Sequence, residues 1–171
     1  ACPGTRLAGL RYLRNQAVAN PMISGATPLS MGELALQRND FAGAEMLFRQ
    51  VLAVSPQSLE ALRGLGYALF QRGALADALA ALEDVIKRAP SDPLGRLLMG
   101  RLCLRLQEPA AAEKHFQRIL KKIPGSEAAL SGMVSVALAL NQANEARRLV
   151  QRLLALHPQS EVSWLAAATV A

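Results

Sequence analysis

Apolar, small and polar positions recur along this chain in a pattern that predicts pairs of amphipathic helices joined by short breaks. The breaks inside the pairs carry residues that favour turns: Asn39-Asp40, Arg72-Gly73, Glu108-Pro109 and Asn141-Gln142. First helices are predicted near residues 26–38, 59–72, 93–106 and 127–140, and second helices near 41–54, 75–88, 109–122 and 143–156. No strand is predicted, so the expected fold class is all-α.

A period of 34 residues underlies this pattern. Each unit ends at a proline, and these prolines are Pro56, Pro90, Pro124 and Pro158. Fixed offsets before them hold an alanine and a large apolar residue, which are Ala44, Ala78, Ala112 and Ala146, and Phe48, Leu82, Phe116 and Val150. A glycine lies 24 residues before the first three prolines, at Gly32, Gly66 and Gly100, and Val134 replaces it in the fourth unit. Matched units without an insertion indicate an internal repeat array.

Each repeated residue type has a physical role in a packed helix pair. Small residues permit two helices to approach closely, and the large apolar residue fills the space beside their crossing. Proline after the second helix ends it, because proline lacks the amide hydrogen and clashes with the preceding turn. Val134 is larger than glycine, so the helices of the fourth pair are expected to cross at a slightly greater distance.

The repeated residues resemble those of the tetratricopeptide-repeat (TPR) family, and the resemblance covers residues 25–171. It implies a right-handed superhelical solenoid of antiparallel helix pairs, with repeats near 25–58, 59–92, 93–126 and 127–160 and a partial repeat at 161–171. Trp164 lies where the family often places tryptophan, so residues 161–171 begin a fifth repeat with a further helix. Either this helix caps the array, or the natural chain continues.

Residues 1–24 do not follow the period, and we interpret them as an N-terminal tether or capping helix. The segment from Thr5 to Asn20 has helical spacing of its apolar residues. The opening Ala1-Cys2 resembles the end of a bacterial lipoprotein processing site, which makes Cys2 a candidate for lipidation. The alternative is an incidental free cysteine.

Composition and charge limit the other possibilities. Hydrophobic residues make up 51% of the 171 residues and aromatic residues only 4%, which favours helix. No apolar run is long enough to span a membrane. The net charge of +6 is concentrated in residues 1–24 and 93–126. Stacking aromatic residues or a known reading motif do not accompany these bases, so nucleic-acid binding is not favoured.

The residues that could carry chemistry are few and far apart. Cys103 falls at a position that packs between helices and is expected to be a buried apolar side chain. His115 is expected among solvated charges on a second helix, and His157 precedes a repeat proline. No spacing of histidine, cysteine and carboxylate suits a metal or a catalytic pair, so neither an enzyme nor a cofactor is predicted.

The family resemblance also implies a concave groove lined by the first helices. Carried over residue by residue, the groove positions are Leu36, Arg63, Tyr67, Phe70, Leu97, Arg101, Leu104, Arg105 and Leu138. The leucines and Phe70 among them at the twelfth position of each unit predict an apolar ridge, flanked by arginines. Such a ridge suits an amphipathic helix or an extended peptide with acidic edges. The alternative is that these residues pack between repeats and contact no ligand.

We therefore predict a non-catalytic scaffold that binds a protein partner. The uninterrupted repeats and the Ala-Cys start resemble the TPR lipoproteins of tight-adherence (Tad/Flp) pilus systems and the pilotins of outer-membrane secretins. That resemblance implies a periplasmic or outer-membrane lipoprotein that binds a secretin segment. The alternatives are a TPR segment of an exopolysaccharide or cellulose export protein, a cytoplasmic scaffold or secretion chaperone, and a nucleic-acid-associated regulator using the basic third repeat.

Overall fold

A computed structural model describes residues 27–170 of the chain. The predicted N-terminal tether or capping helix and the lipidation candidate Cys2 lie outside the described residues, as does Ala171.

The described residues form nine helices and no strand, as the repeat pattern predicts. The first helices of the repeats are α1 (Pro28–Gln37), α3 (Leu59–Arg72), α5 (Pro93–Arg105) and α7 (Glu127–Ala139), and the second helices are α2 (Phe41–Val54), α4 (Leu75–Arg88), α6 (Pro109–Lys122) and α8 (Ala143–Leu156). The last helix is α9 (Glu161–Val170). The second helices begin and end where the sequence predicts, and the first helices differ from prediction by two residues or fewer at either end.

Four helices begin after a residue whose side chain satisfies a free amide group of the first turn. The side chains of Thr27, Asp40, Ser58 and Asp92 each accept a hydrogen bond from the backbone N–H three residues later. Proline occupies the first position of three helices, where its missing N–H costs no hydrogen bond. Local sequence therefore sets where most of these helices start.

Consecutive helices pack against each other along the whole described chain. In addition, each first helix contacts the first helix of the next repeat, so that α1, α3, α5, α7 and α9 form one row. A large apolar cluster extends from α1 to α7, and a second cluster joins α7, α8 and α9. This arrangement is a solenoid of stacked helix pairs, in which each repeat buries its apolar face against its neighbours.

Glycines let two phenylalanine rings pack between first helices. A Cβ atom on Gly32 would lie 2.8 Å from a ring carbon of Phe48, and one on Gly64 would lie 2.4 Å from the tip of the same ring. Phe116 is held in the same way, because a Cβ on Gly100 or on Gly132 would lie 2.6 Å from its ring. The sequence pattern predicts the close approach at Gly32 and Gly100. It does not reveal the second glycine of each set, on the following repeat.

The residue sizes on the two sides of the first three repeat boundaries compensate one another. The large apolar residue of each second helix is matched by the sixth residue of the next unit, in the pairs Phe48 and Gly64, Leu82 and Leu98, Phe116 and Gly132, and Val150 and Ala166. All of these apolar residues except the glycines are buried. A phenylalanine faces a glycine, whereas the smaller Leu82 is followed by a leucine, so these boundaries are filled by side chains of similar combined size, and only the last pair is smaller.

The turn inside each repeat uses one left-handed residue at the same repeat position. These residues are Asn39, Gly73, Gln107 and Asn141, with φ of 57°, 80°, 62° and 56°. Glycine and asparagine tolerate this conformation, whereas a longer side chain is strained there by roughly 1–2 kcal/mol. The sequence interpretation placed the third break at Glu108-Pro109 and did not identify Gln107 as the residue that turns the chain.

We expect the substitution Gln107→Gly to stabilise the protein and Gly73→Ala to destabilise it, each by about 1 kcal/mol. A Cβ atom on Gly73 would have no heavy atom within 4 Å, so the loss there would come from backbone conformation alone. Urea unfolding followed by circular dichroism measures both changes in the free energy of unfolding. A Gln107→Gly variant less stable than the parent would show that the glutamine side chain makes a stabilising contact.

The last helix continues the repeat pattern as predicted from Trp164. The indole N–H of Trp164 donates to the carbonyl oxygen of Pro158 at 3.0 Å, while 60% of this side chain stays exposed. Ala166 packs into the second cluster beside Val150. The helix thus covers part of α8 and still presents an apolar surface of its own.

Candidate peptide-binding groove

The row of first helices contains a pocket of about 320 Å³ between α1, α3 and α5. Its walls combine apolar, aromatic and charged side chains, and the lining residues are Glu33, Leu36, Phe48, Glu60, Arg63, Gly64, Tyr67, Leu94, Leu97, Leu98 and Arg101. The structure therefore brings together five of the residues predicted for the groove, namely Leu36, Arg63, Tyr67, Leu97 and Arg101.

Arg63 is held within the structure by an acidic residue of the next repeat. Its guanidinium group lies 3.1 Å from a carboxylate oxygen of Asp92, and both side chains are largely buried. The other oxygen of Asp92 accepts the N–H of Gly95 at 2.8 Å and caps α5. Arg63 therefore lines the pocket and also joins α3 to the start of α5, an ion pair that the sequence interpretation did not identify.

The remaining charges of the pocket carry both signs. Glu33, Glu60 and Arg101 are exposed at its rim. Within residues 27–170 none of the three makes a salt bridge. Such groups keep their charge available for a ligand, in contrast to the paired Arg63. The rim therefore offers both an anion and a cation beside an apolar floor.

Two aromatic contacts shape the neighbouring part of the groove. The rings of Phe41 and Tyr67 meet edge to face, with centroids 6.3 Å apart. The guanidinium carbon of Arg105 lies 5.4 Å from the centre of the Phe70 ring, within the range of a cation–π contact. Tyr67 is thus positioned by a ring of the adjoining helix, and Arg105 covers Phe70.

The residues of the predicted apolar ridge lie in different surroundings. Leu36, Phe70 and Leu104 are half-buried and pack against the main core cluster, and Leu36 alone of them lines the pocket. Leu138 is 37% exposed on α7, away from the pocket. The four residues therefore do not form one continuous ridge, and the pocket is confined to the first three repeats.

Several pocket residues carry no obvious signal in the sequence. Glu60 precedes the apolar stripe of α3, and Phe48 belongs to a second helix, which the family pattern does not direct into the groove. Phe48 lies directly beneath Gly64 at the pocket wall and is only 1% exposed. The same pairing of a phenylalanine with a glycine sixteen residues later occurs at Phe116 and Gly132, so it indicates close packing between repeats and does not by itself identify a pocket.

The residues considered for chemistry are placed as follows. Cys103 is buried at 5% exposure, as predicted, and burial raises the pKa of its thiol. His115 is not among solvated charges, since it is half-buried and its Nδ1 atom is buried without a hydrogen-bond partner in the described structure. Burial, followed by the charges of Arg96 and Arg118, lowers the pKa of this histidine.

Residues 27–170 contain no cluster of three or more histidine, cysteine and carboxylate side chains that could hold a metal ion. None of their helices combines the length and the apolar character needed to cross a membrane. A larger depression of about 800 Å³ lies between α6, α7 and α8, and its lining is mainly asparagine, glutamine and charged residues.

Stacked helix pairs with a pocket in the row of first helices define a helical repeat scaffold. Family models described as "Tetratricopeptide repeat" match residues 29–93 and 75–127, and a further one matches residues 104–168. The chain therefore belongs to the tetratricopeptide-repeat family, whose arrays are scaffolds for protein–protein interaction.

Relatives of this chain occur in proteins of different kinds. It is 28% identical over 131 residues to cellulose synthase operon protein C of Xanthomonas axonopodis pv. citri, a match that spans 72% of this chain and 9% of that protein. It is 26% identical over 148 residues to the protein CTR9 homolog of Arabidopsis thaliana, spanning 86% of this chain and 14% of that protein. The chain thus covers only a small part of the length of either relative.

A solved structure supports the same fold. YrrB, described as a TPR protein with an unusual peptide-binding site, superimposes with a TM-score of 0.71 and 15% identity. The match covers 82% of this chain and 73% of YrrB. At this identity the likeness concerns the fold alone, and the resemblance to pilus lipoproteins and pilotins stays a prediction.

Proposed function

We propose that this array binds a peptide or helical segment of a protein partner in the pocket between α1, α3 and α5. The observation that carries the proposal is the combination of an apolar floor, formed by Leu36, Leu97 and Leu98, with charges at the rim that make no salt bridge within residues 27–170. A groove that buries one apolar anchor and orients it by charge suits short segments of protein. The peptide-binding site described for YrrB supports this use of the fold.

The chemistry of the rim defines the segment. Arg101 is the exposed cation, and Glu33 and Glu60 are the exposed acids of the same pocket. The segment that fits has an apolar side chain for the floor, an acidic residue toward Arg101 and a basic residue toward the glutamates. An apolar anchor between opposite charges is a more specific ligand than the amphipathic helix or extended peptide with acidic edges expected from the sequence.

We expect Leu94→Glu to weaken the binding of such a peptide at least tenfold, because it places a charge on the apolar wall of the pocket. Leu34→Glu is the matched control, since Leu34 and Leu94 are both on first helices and are 44% and 48% exposed, but only Leu94 lines the pocket. Peptides would first be selected from a random library against the full chain, and their affinities measured by fluorescence anisotropy. Equal losses in the two variants, or peptides that bind both unchanged, would exclude this pocket.

The charge of the rim is tested by reversing it. Arg101→Glu should shift the selected sequences away from acidic residues on one side of the apolar anchor. The same apolar anchor should remain, because the floor of the pocket is unchanged. Selected peptides with an unaltered charge pattern would show that Arg101 does not contact the ligand.

Two alternatives are proposed for the larger assembly in which this scaffold works. Similarity to a cellulose synthase operon protein supports the alternative that the array is a TPR segment of an exopolysaccharide or cellulose export protein. In that case its partner would be another component of the export assembly. Purification of the natural full-length protein would distinguish this alternative, because a segment of an export protein is expected to be part of a much longer chain.

The second alternative, an adaptor in a pilus or secretin assembly, is supported by the Ala1-Cys2 start and by the repeat array. Its test is metabolic labelling with a palmitate analogue in a bacterial host that expresses the natural precursor. Label that disappears in Cys2→Ser would support a lipoprotein at the outer membrane or in the periplasm. An unlabelled chain would remove the main support for this adaptor and favour a cytoplasmic or export-protein scaffold.

A further inference from the structure

A second pocket, of about 380 Å³, lies at the junction of the second and third repeats and is lined almost entirely by basic and apolar residues. Four cations surround it: Arg96 of α5, and Arg118, Lys121 and Lys122 of α6. It shares no lining residue with the groove pocket. No carboxylate of residues 27–170 lines it, and residues 1–26 contain neither aspartate nor glutamate.

Arg96 is the residue that distinguishes this pocket from an ordinary basic surface. It is only 5% exposed, although arginine is rarely buried without a paired acid. Its guanidinium group donates one hydrogen bond, to the carbonyl oxygen of Pro90, and makes no salt bridge with the described residues. The nearest acid along the chain, Asp92, is already occupied by Arg63 and by the N–H of Gly95.

Comparison with the other repeats shows that a charge at this position is unusual. The equivalent residues of the second and fourth repeats, Leu62 and Leu130, are buried leucines. His115 likewise occupies the position of the buried Leu47 and Leu149 of the first and fourth repeats. The positive charge of Arg96 contributes to the lowered pKa of this histidine. The third repeat thus carries polar side chains at two positions that its neighbours use for apolar packing.

Arg96 also makes the hydrogen bond to the repeat proline that cations of second helices make elsewhere in the array. The carbonyls of two other repeat prolines accept a hydrogen bond from the second helix of the next repeat, from Arg88 to Pro56 at 2.6 Å and from Arg152 to Pro124 at 2.7 Å, whereas Pro158 accepts from Trp164, the equivalent of Arg96. The equivalents of these two donors in the third repeat are Lys122 and Arg118. Because Arg96 already satisfies Pro90, both of these side chains remain at the pocket without that bond.

From this geometry we infer that the basic pocket binds a phosphate group, carried by a soluble phosphorylated compound or by a lipid headgroup. Arginine with several free N–H groups and neighbouring lysines is the donor set that tetrahedral oxyanions prefer. Lysines in a last helical turn are ordinary, but a buried arginine without an acid has an unneutralised charge that a bound phosphate would balance. This pocket shares no lining residue with the groove pocket, so the inference of phosphate binding does not depend on the proposed peptide binding.

The first experiment is a titration of the full chain with inorganic phosphate against a chloride background, followed by isothermal calorimetry and by the imidazole NMR signals of His115. Bound phosphate should raise the pKa of His115, because it offsets the positive charges of Arg96 and Arg118. Arg96→Leu should weaken phosphate binding at least tenfold, and Leu62 and Leu130 show that a leucine fits at this position. Arg96→Trp should do the same, since Trp164 shows that an indole at this position donates to the repeat proline without a positive charge.

Lys114→Gln is the control, because Lys114 is an exposed cation of α6 that does not line the pocket. The source of the phosphate is decided with vesicles of phosphatidylcholine alone and with phosphatidylglycerol added. Binding to the mixed vesicles that is lost in Arg96→Leu assigns the site to a lipid headgroup, whereas binding to inorganic phosphate alone assigns it to a soluble compound. If neither probe binds more tightly than chloride or neutral vesicles, or if Lys114→Gln loses as much as Arg96→Leu, the inference is wrong.

Discussion

Replacement of Gly64 by leucine is expected to lower the free energy of unfolding by about 3 kcal/mol. A single Cβ on Gly64 would already lie 2.4 Å from the Phe48 ring, and that ring is 1% exposed and cannot move into solvent. The better helix propensity of leucine would offset less than 1 kcal/mol of this loss. Chemical denaturation followed by circular dichroism measures the change directly.

We expect a second substitution, at Phe48, to restore the stability that Gly64→Leu loses. Phe48→Leu alone removes ring atoms from the boundary and should cost about 1 kcal/mol. Combined with Gly64→Leu, it reproduces the natural pair of the next boundary, Leu82 and Leu98, and the double variant should lie within about 1 kcal/mol of the parent. Additive losses in the double variant would show that the two positions do not share a filled volume.

Replacement of Arg96 by leucine is expected to raise the free energy of unfolding by about 1–2 kcal/mol, the reverse of the usual effect of a buried substitution. Burial, and then the charge of Arg118, lowers the pKa of the Arg96 guanidinium, which shows that its surroundings disfavour the charge. Leucine is the residue that two other repeats bury here. Thermal and urea unfolding in buffers free of phosphate would measure the gain.

Arg152→Leu is the matched comparison for this prediction. Arg152 is exposed and donates to the carbonyl of Pro124, so its loss removes a hydrogen bond without relieving a buried charge. We expect that variant to lose about 0.5–1 kcal/mol. A loss of stability in Arg96→Leu as large as in Arg152→Leu would mean that the bond to Pro90 outweighs the cost of the buried charge. A gain would indicate that the third repeat keeps Arg96 for a function other than stability.

The sequence by itself determined the helices and their order. Prolines, glycines and large apolar residues at one period limit where helices end and which faces pack, because those effects are local or repeat between neighbours. Gln107 is the exception within a turn, since nothing in its side chain marks a left-handed conformation. The repeat position it shares with Asn39, Gly73 and Asn141 would have identified it.

Only the tertiary structure decided which side chains meet across repeats. Phe48 packs under Gly64 at the wall of the groove, Arg63 is bound by Asp92 at 3.1 Å, and Arg96 is buried beside a pocket of bases. The periodic pattern shows only which face a residue occupies. It does not show whether a charge on that face finds a partner, because that depends on distances between helices far apart in the chain. Those distances decide that Arg63 is paired with an acid within the scaffold, whereas Arg96 makes no salt bridge with the described residues.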